Sequence, residues 1–351
     1  MTKRFSSLLC LGLLLFALPC LSQQNLPQFR NLVMEGGGTK GIAYGGALME
    51  LEEKGMLKSV IRVAGTSAGA IQASLLAIGY SAKEIAAILN QTPVESFNDG
   101  GFVASNAHRL FHQYGWFQGE TFLETLENVI ANRLGNRNLT FAQLHELAKS
   151  YPFRDLYVVA ADLTVQQSVV FSYETHPQMR IADAVRISMS IPLYYEAVWA
   201  NKEGKVFEKP KPSDNCHLYV DGGILMNYPI GLFDHSKYIE GREDEKQKVF
   251  NTETLGFRLD RPEQIDQEIE NGLGIAPYEI EDFNSYMSAL TSILMRNVNK
   301  IEKEDIRRTI YINDLGMSSR VRKVTEEEKQ QMMESGRRGV SQFLMREIMD
   351  K

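Results

Sequence analysis

Apolar and polar positions along the chain fall into blocks whose period switches between that of strands and that of helices. Short apolar runs fit strands at 31–34, 60–64, 156–161, 168–172, 217–221, 254–258 and 308–312. Longer stretches with apolar residues three and four apart fit helices at 41–54, 68–78, 82–90, 119–133, 141–148, 180–189, 277–304 and 325–349. The opening order, strand–helix–strand, implies a parallel pair joined by a right-handed crossover. In the helix over 41–54, Ile42, Leu48, Met49 and Leu51 supply a packing face, Glu50, Glu52 and Glu53 a solvated one, and Gly55 the stop. The stretch 277–304 carries Phe283, Met287, Leu290, Ile293, Leu294 and Val298 at helical spacing. That spacing predicts a core helix, with a lipid-facing lid as the alternative. Residues 202–215 and 236–252 are polar or charged and predict surface loops. No repeat, low-complexity tract or linker divides the chain, so one α/β domain is expected.

The N-terminus stands apart from this pattern. Lys3 and Arg4 precede an apolar stretch over 8–21, and small residues follow up to Ser22. This is the anatomy of a secretory leader cleaved near Ser22. The stretch is shorter than the roughly 20 residues a spanning helix needs, which disfavours an uncleaved anchor. Pro19 directly before Cys20 disfavours a lipid anchor on that cysteine. The mature chain, 23–351, is then expected to be secreted or periplasmic. The formal charge is −6, and losing Lys3 and Arg4 makes it −8. Nothing here resembles a basic nucleic-acid surface. The acidic balance also disfavours anionic membranes, unless Arg307-Arg308 or the basic residues of 320–323 form a local patch. Cys10 and Cys20 leave with the leader, so Cys216 has no partner for an intrachain disulfide and reads as a small apolar filler.

Two motifs carry chemistry, each directly after an apolar strand. Gly36-Gly37-Gly38-Thr39-Lys40-Gly41 opens a helix, where bare N–H groups face an anion. Gly65-Thr66-Ser67-Ala68-Gly69 is a G-x-S-x-G, the pattern of a serine on a tight strand-to-helix turn. The first motif also matches G-x-G-x-x-G, but the second strand runs straight into Gly65 and supplies no acid for a ribose. It is not a phosphate-binding P-loop either, because Lys40 precedes Gly41. An oxyanion site remains, with the N–H groups of Gly37 and Gly38 as donors. Lys40 either steadies this loop, attracts an anionic head group or is simply solvated.

A serine hydroxyl needs a base. Asp221 ends the strand His217-Leu218-Tyr219-Val220 and is followed by Gly222 and Gly223, which let the backbone turn beside a partner. A carboxylate there can take the serine proton directly. Asp99-Gly100-Gly101 repeats the triplet but follows a loop, so Asp221 is preferred. Of the six histidines, His108, His112, His145, His176, His217 and His235, only His235 has the chain order of a serine–acid–histidine triad, and it stands as the alternative base. His217 reads as structural.

In this order, the glycine turn, the G-x-S-x-G and Asp221-Gly222-Gly223 resemble the three signature motifs of patatin-like phospholipases, of the bacterial, secreted type. The segment 182–192, from Ala182 to Pro192, is similar to the family's helix-then-proline segment; Tyr228-Pro229 and Phe117-Gln118-Gly119 also fit. The resemblance covers about 29–235, and 236–351 is then a C-terminal helical and strand extension packed on the same domain. It implies a three-layer α/β hydrolase fold, with a mostly parallel central sheet flanked by helices. It implies a lipid acyl hydrolase, phospholipase A-type or a related carboxylic ester hydrolase, with a Ser67–Asp221 dyad, no metal and no cofactor. By motif position, Gly36, Gly37, Gly38, Thr39, Lys40 and Gly41 form the oxyanion hole. Gly65, Thr66, Ala68 and Gly69 form the nucleophile elbow, and Gly222 and Gly223 the Asp loop. Lys40 stands where the family often has arginine, keeping the charge but not the bidentate fork. The expected partner is a lipid or membrane-surface substrate. A triad esterase using His235, and a non-catalytic lipid-binding protein, are the alternatives. Which ester is cut, and the oligomeric state, are not legible.

Overall fold

The computed structural model describes residues 27–242, 247–298 and 300–349. The leader expected over 1–22, with Cys10 and Cys20, lies outside them. The elements are β1 (Asn31–Met34), α1 (Ile42–Glu53), β2 (Arg62–Thr66), α2 (Ala68–Ala77), α3 (Ala82–Gln91) and α4 (Val103–His112). Then come β3 (Gly115–Phe117), α5 (Glu120–Leu134), α6 (Phe141–Leu147), β4 (Asp155–Asp162), β5 (Gln167–Phe171) and α7 (Ile181–Ser188). Next are β6 (Leu193–Tyr195), β7 (Val198–Ala200), β8 (Val206–Phe207), β9 (His217–Asp221) and α8 (Gly223–Met226). The chain ends with β10 (Thr254–Asp260), α9 (Pro262–Asn271), α10 (Phe283–Val298), β11 (Thr309–Asn313) and α11 (Glu326–Met349).

Among the described residues the main sheet runs β11-β10-β1-β2-β4-β9-β7-β8, with β5 also on β4. Strands β11, β10, β1, β2 and β4 are mutually parallel. Strands β5, β9, β7 and β8 add antiparallel pairings. The parallel strands are buried on both faces, as crossover helices require. Alternate side chains therefore feed two cores. Leu32, Met34, Val63, Leu156 and Val158 join the larger core with α1, α2, α7 and α11. Val33, Ala64 and Tyr157 point the other way, against Tyr228, Ile230, Phe233 and Tyr238. Local signals set the helix limits. Ser81 and Glu84 box the start of α3, Thr140 and Gln143 that of α6, and Gly55 in the left-handed region follows α1.

Four expectations change. Helix α1 has no simple solvated face: α11 packs along it, and Arg337 of α11 takes Glu50 at 2.8 Å and Glu53 at 2.7 Å. The 202–215 stretch contains β8 and a short turn of helix at Pro212–Asp214. In 236–252, the described Ser236, Tyr238 and Asn251 are buried, so this is not purely a surface excursion. Most consequentially, the helix expected over 277–304 is shorter and is not a core helix. Phe283, Met287, Leu290, Ile293 and Leu294 are all exposed; the Val298 side chain lies outside those described. Spacing alone is the same for an apolar face turned inward or outward.

Candidate active site

The register of the sheet brings the motifs together. Met34 pairs with Gly65, so the glycine turn leaves β1 beside the serine turn that leaves β2. Asp221 ends β9, whose neighbour β4 also borders β2. Binding at the carboxyl ends of parallel strands is the usual place in such sheets.

Ser67 sits between β2 and α2 with φ 51° and ψ −120°, a backbone rarely adopted by a residue with a side chain. The neighbouring glycines permit it: a Cβ on Gly65 would lie 2.3 Å from the Gly69 carbonyl carbon, and one on Gly69 2.2 Å from the Met34 oxygen. The Ser67 amide donates to Ser188 Oγ at 2.9 Å, and that hydroxyl donates to the Val159 oxygen at 2.5 Å. Thr66 Oγ1 donates to the Met226 oxygen at 2.9 Å, tying the turn to α8. The turn is thus fixed from three sides.

The Ser67 side chain faces the Asp221 carboxyl closely enough to favour its ionised form. Asp221 is buried, its Oδ1 accepts the Gly223 amide at 2.7 Å, and its own amide donates to the Ser190 oxygen at 2.8 Å. Burial pushes this carboxyl up to about 6, and the bonds from Ser67 and Gly223 keep it from rising further. Gly222 serves by close approach rather than by an unusual turn: its φ is −65°, and a Cβ would lie 2.7 Å from the Val159 oxygen.

In the glycine turn, the Gly36 amide donates to the Asn227 oxygen, Thr39 to Ser319 and Lys40 to Gly37. The N–H groups of Gly37 and Gly38 have no partner among the described residues. Gly38 has φ +55°, and a Cβ there would overlap the Ser319 oxygen at 2.0 Å, so the position requires glycine. The Thr39 hydroxyl donates to the Ser318 oxygen at 2.7 Å, and Lys40 Nζ meets Asp314 at 2.5 Å. Lys40 therefore steadies the loop. Gly41 takes a hydrogen bond from the Gln72 side chain of α2, and Gly36 lies against the Ser67 side chain. Ala68 begins α2 and borders the same cavity as Gly38.

Three supporting residues take their roles from the fold, although Ser188 also lies in the 182–192 segment noted in the sequence. Ser188 holds the serine turn. Asn227 donates from Nδ2 to the Gly36 oxygen at 3.0 Å and to Glu35 at 3.2 Å, joining the Asp loop to the glycine turn. Glu35 is buried, accepts the Leu259 amide at 2.9 Å, and is raised to about 7 by burial against the pull of Arg258.

The other candidates lie elsewhere. The His235 ring accepts from the Lys237 amide at 3.2 Å and has no bond to Ser67 or Asp221. His217 pairs with Asp162 at 2.6 Å and His145 with Asp155 at 2.8 Å. Asp99 accepts the amides of Gly119 and Thr121 and so caps α5. Cys216 is half-buried and its thiol is raised by burial, the opposite of an activated nucleophile. Of the basic candidates, Arg308 is buried between Asp234 and Asp305 and Arg322 pairs with Glu328, while Arg307, Arg320 and Lys323 are exposed. No metal-ligating cluster occurs among the described residues.

A cavity of about 100 Å³ opens beside this site. Gly38, Thr39 and Ala68 stand at one side, and Ile71, Leu75, Phe122 and Leu126 line the rest, a wall that is almost wholly apolar.

A model of the patatin-like phospholipase family matches residues 32–234. The chain belongs to this family. Its activity is lipid acyl hydrolysis by a serine enzyme. Among its relatives, the uncharacterized protein YqhO of Bacillus subtilis is 35% identical over 217 residues, 58% of this chain and 67% of that one. The uncharacterized protein R571 of Acanthamoeba polyphaga mimivirus is 27% identical over 325 residues, 92% of this chain and 95% of its own. The solved structure of VipD from Legionella pneumophila covers 91% of this chain and 67% of its own, with a TM-score of 0.55 at 19% identity, a likeness of fold. The patatin-like α/β architecture expected from the motifs is the one observed.

Proposed function

We propose that Ser67 is the nucleophile and Asp221 its only proton acceptor, in a two-residue site that cleaves lipid carboxylic esters. The observation that carries this is the Ser67 side chain facing the buried Asp221 carboxyl, beside amides of Gly37 and Gly38 that have no partner among the described residues. In the first step Ser67 Oγ attacks the ester carbonyl and its proton passes to Asp221. The developing oxyanion takes hydrogen bonds from Gly37 and Gly38. The tetrahedral intermediate collapses, and the leaving alcohol takes the proton back from Asp221. Water then attacks the acyl-Ser67 ester, with Asp221 accepting its proton; the C–Oγ bond breaks, Ser67 Oγ takes that proton back from Asp221, and the fatty acid departs. The apolar cavity at Ala68 and Ile71 suits the start of the acyl chain. Thr39, Lys40 and Gly41 shape the donor loop, while Gly65, Thr66 and Gly69 hold the elbow.

We further infer a secreted bacterial form of the family, released by cleavage near Ser22 into the periplasm or medium. The leader-like sequence of 1–22 supports this. The motif-bearing core over 29–235 and the extension over 236–351 would then both belong to the mature enzyme.

The test is labelling by a fluorophosphonate with hydrolysis of a short-chain nitrophenyl ester and of a phospholipid. Wild type is expected to do all three, Ser67→Ala none, and His235→Ala to match wild type. A folded wild type that takes no label would overturn the dyad, and a loss of several orders of magnitude in His235→Ala would restore the triad.

A further inference from the structure

We propose that α10 is the surface on which the enzyme lies on a neutral or zwitterionic lipid layer while Ser67 works. This rests on the lipid hydrolase reading and adds the docking face. Helix α10 packs on α8, which begins two residues after Asp221, so it stands at the site. Along it Phe283, Tyr286, Met287, Leu290, Ile293 and Leu294 recur at three- and four-residue spacing, and every one is exposed, Phe283 at 74% and Leu294 at 59%. Single exposed apolar residues are ordinary; a continuous stripe is not.

The charge pattern says what covers it. The helix holds one charged residue, Arg296, and that side chain turns inward to Asp260 and Glu268. The outer face is therefore uncharged and also pinned to the core. Tyr286 within the stripe and Tyr278 just ahead of the helix are exposed, with the apolar ring and polar tip favoured at a membrane interface. Glu279, Glu281 and Asp282 lie just ahead of the helix, without a basic residue before Arg296, which disfavours an anionic surface. From Phe283 to Leu294 the stripe is about 16 Å long. That length suits lying in the interface, and no described helix is long and apolar enough to cross a membrane.

The experiment pairs Leu290→Glu/Leu294→Glu with wild type. Co-sedimentation with phosphatidylcholine vesicles, and hydrolysis of that lipid in vesicles, are expected to fall at least about tenfold, since two leucines lose their burial. Hydrolysis of a soluble nitrophenyl butyrate is expected to stay within about twofold, which also reports folding. Phe283→Trp gives a second reading: quenching of its emission by brominated phosphatidylcholine is expected. Unchanged vesicle binding in the folded double variant, or an unquenched Trp, would overturn the proposal. So would a wild-type dimer that the double variant splits with vesicle binding intact, which assigns the face to a second copy. Ester hydrolysis without vesicle binding in wild type sinks the docking face alone; vesicle binding through α10 without any ester hydrolysis sinks the hydrolase reading alone.

Discussion

As the proposed base, Asp221 has to be both buried and ionised, and the two demands conflict. Its carboxyl ordinarily loses its proton near 3.8 and here does so near 6. As a base it works only when ionised, so kcat/KM on a soluble ester is expected to rise with pH, reach half its plateau near 6 and stay level above. The folded state holds this proton more tightly than the unfolded one, so stability is lost as pH rises from about 4 through 6 and stays lost above. The cost is about 3 kcal/mol when fully ionised. Asp221→Asn mimics the neutral acid. It is expected to be inactive, to melt above wild type at pH 8, and to approach it near pH 4; an equal gap at both values would refute the assignment. Ser67 carries a different cost, its positive φ. Ser67→Gly is expected to melt higher than Ser67→Ala, since only glycine tolerates that backbone, by about 1 kcal/mol or more. Equal melting temperatures would mean the turn is unstrained. Both residues stand out in the sequence because the proposed chemistry is local: a serine between two obligatory glycines, and an acid at a strand end.

What lies between the motifs was not legible. The two catalytic loops are tied by Asn227, whose partners Gly36 and Glu35 are 191 and 192 positions away. Ser188 reaches Ser67 across 121 positions. A local pattern can mark the segment, as it does 182–192 around Ser188, but not the contact, because that comes from the sheet register. The same holds for elements: β3, β6, β7 and β8 span two or three residues each, too short to show alternation. Helix α4 carries exposed Phe111 and no clear buried face, and α9 is mostly polar, although Pro262 at its first turn was a usable start signal. Helix α10 shows the opposite failure, a strong pattern with its face assigned the wrong way. The Asn227 tie has a measurable consequence. Asn227→Ala frees the Gly36 loop and shifts the Gly37 and Gly38 donors, and a displacement near 1 Å costs about a hundredfold. The expected result is a kcat on nitrophenyl ester down 10- to 100-fold, roughly, with KM and far-ultraviolet dichroism little changed. A wild-type kcat would show that the two loops hold themselves.

At the scale of the molecule, the family match ends at residue 234, yet the site depends on residues well beyond that point. Strand β10 pairs with the whole length of β1, Asn31 to Thr254 through Met34 to Phe257. Leu259 binds Glu35, Asp314 binds Lys40, and the Ser318 and Ser319 carbonyls bind Thr39. Helix α11 covers α1, burying Met332, Val340, Phe343 and Leu344. A chain ended after residue 240 would keep Ser67, Asp221 and all three motifs. It would also leave β1 as an open edge, strip the cover from α1 and release the glycine loop on the side where it is held. Open apolar edges pair with other chains. Such a fragment is therefore expected to appear in the insoluble fraction, and any refolded portion to take fluorophosphonate at a small fraction of the full chain's rate. A soluble, monodisperse fragment labelled at the full rate would show that the motif-bearing half organises its own oxyanion donors, and that the contacts from β10 onward only stabilise a loop already in place.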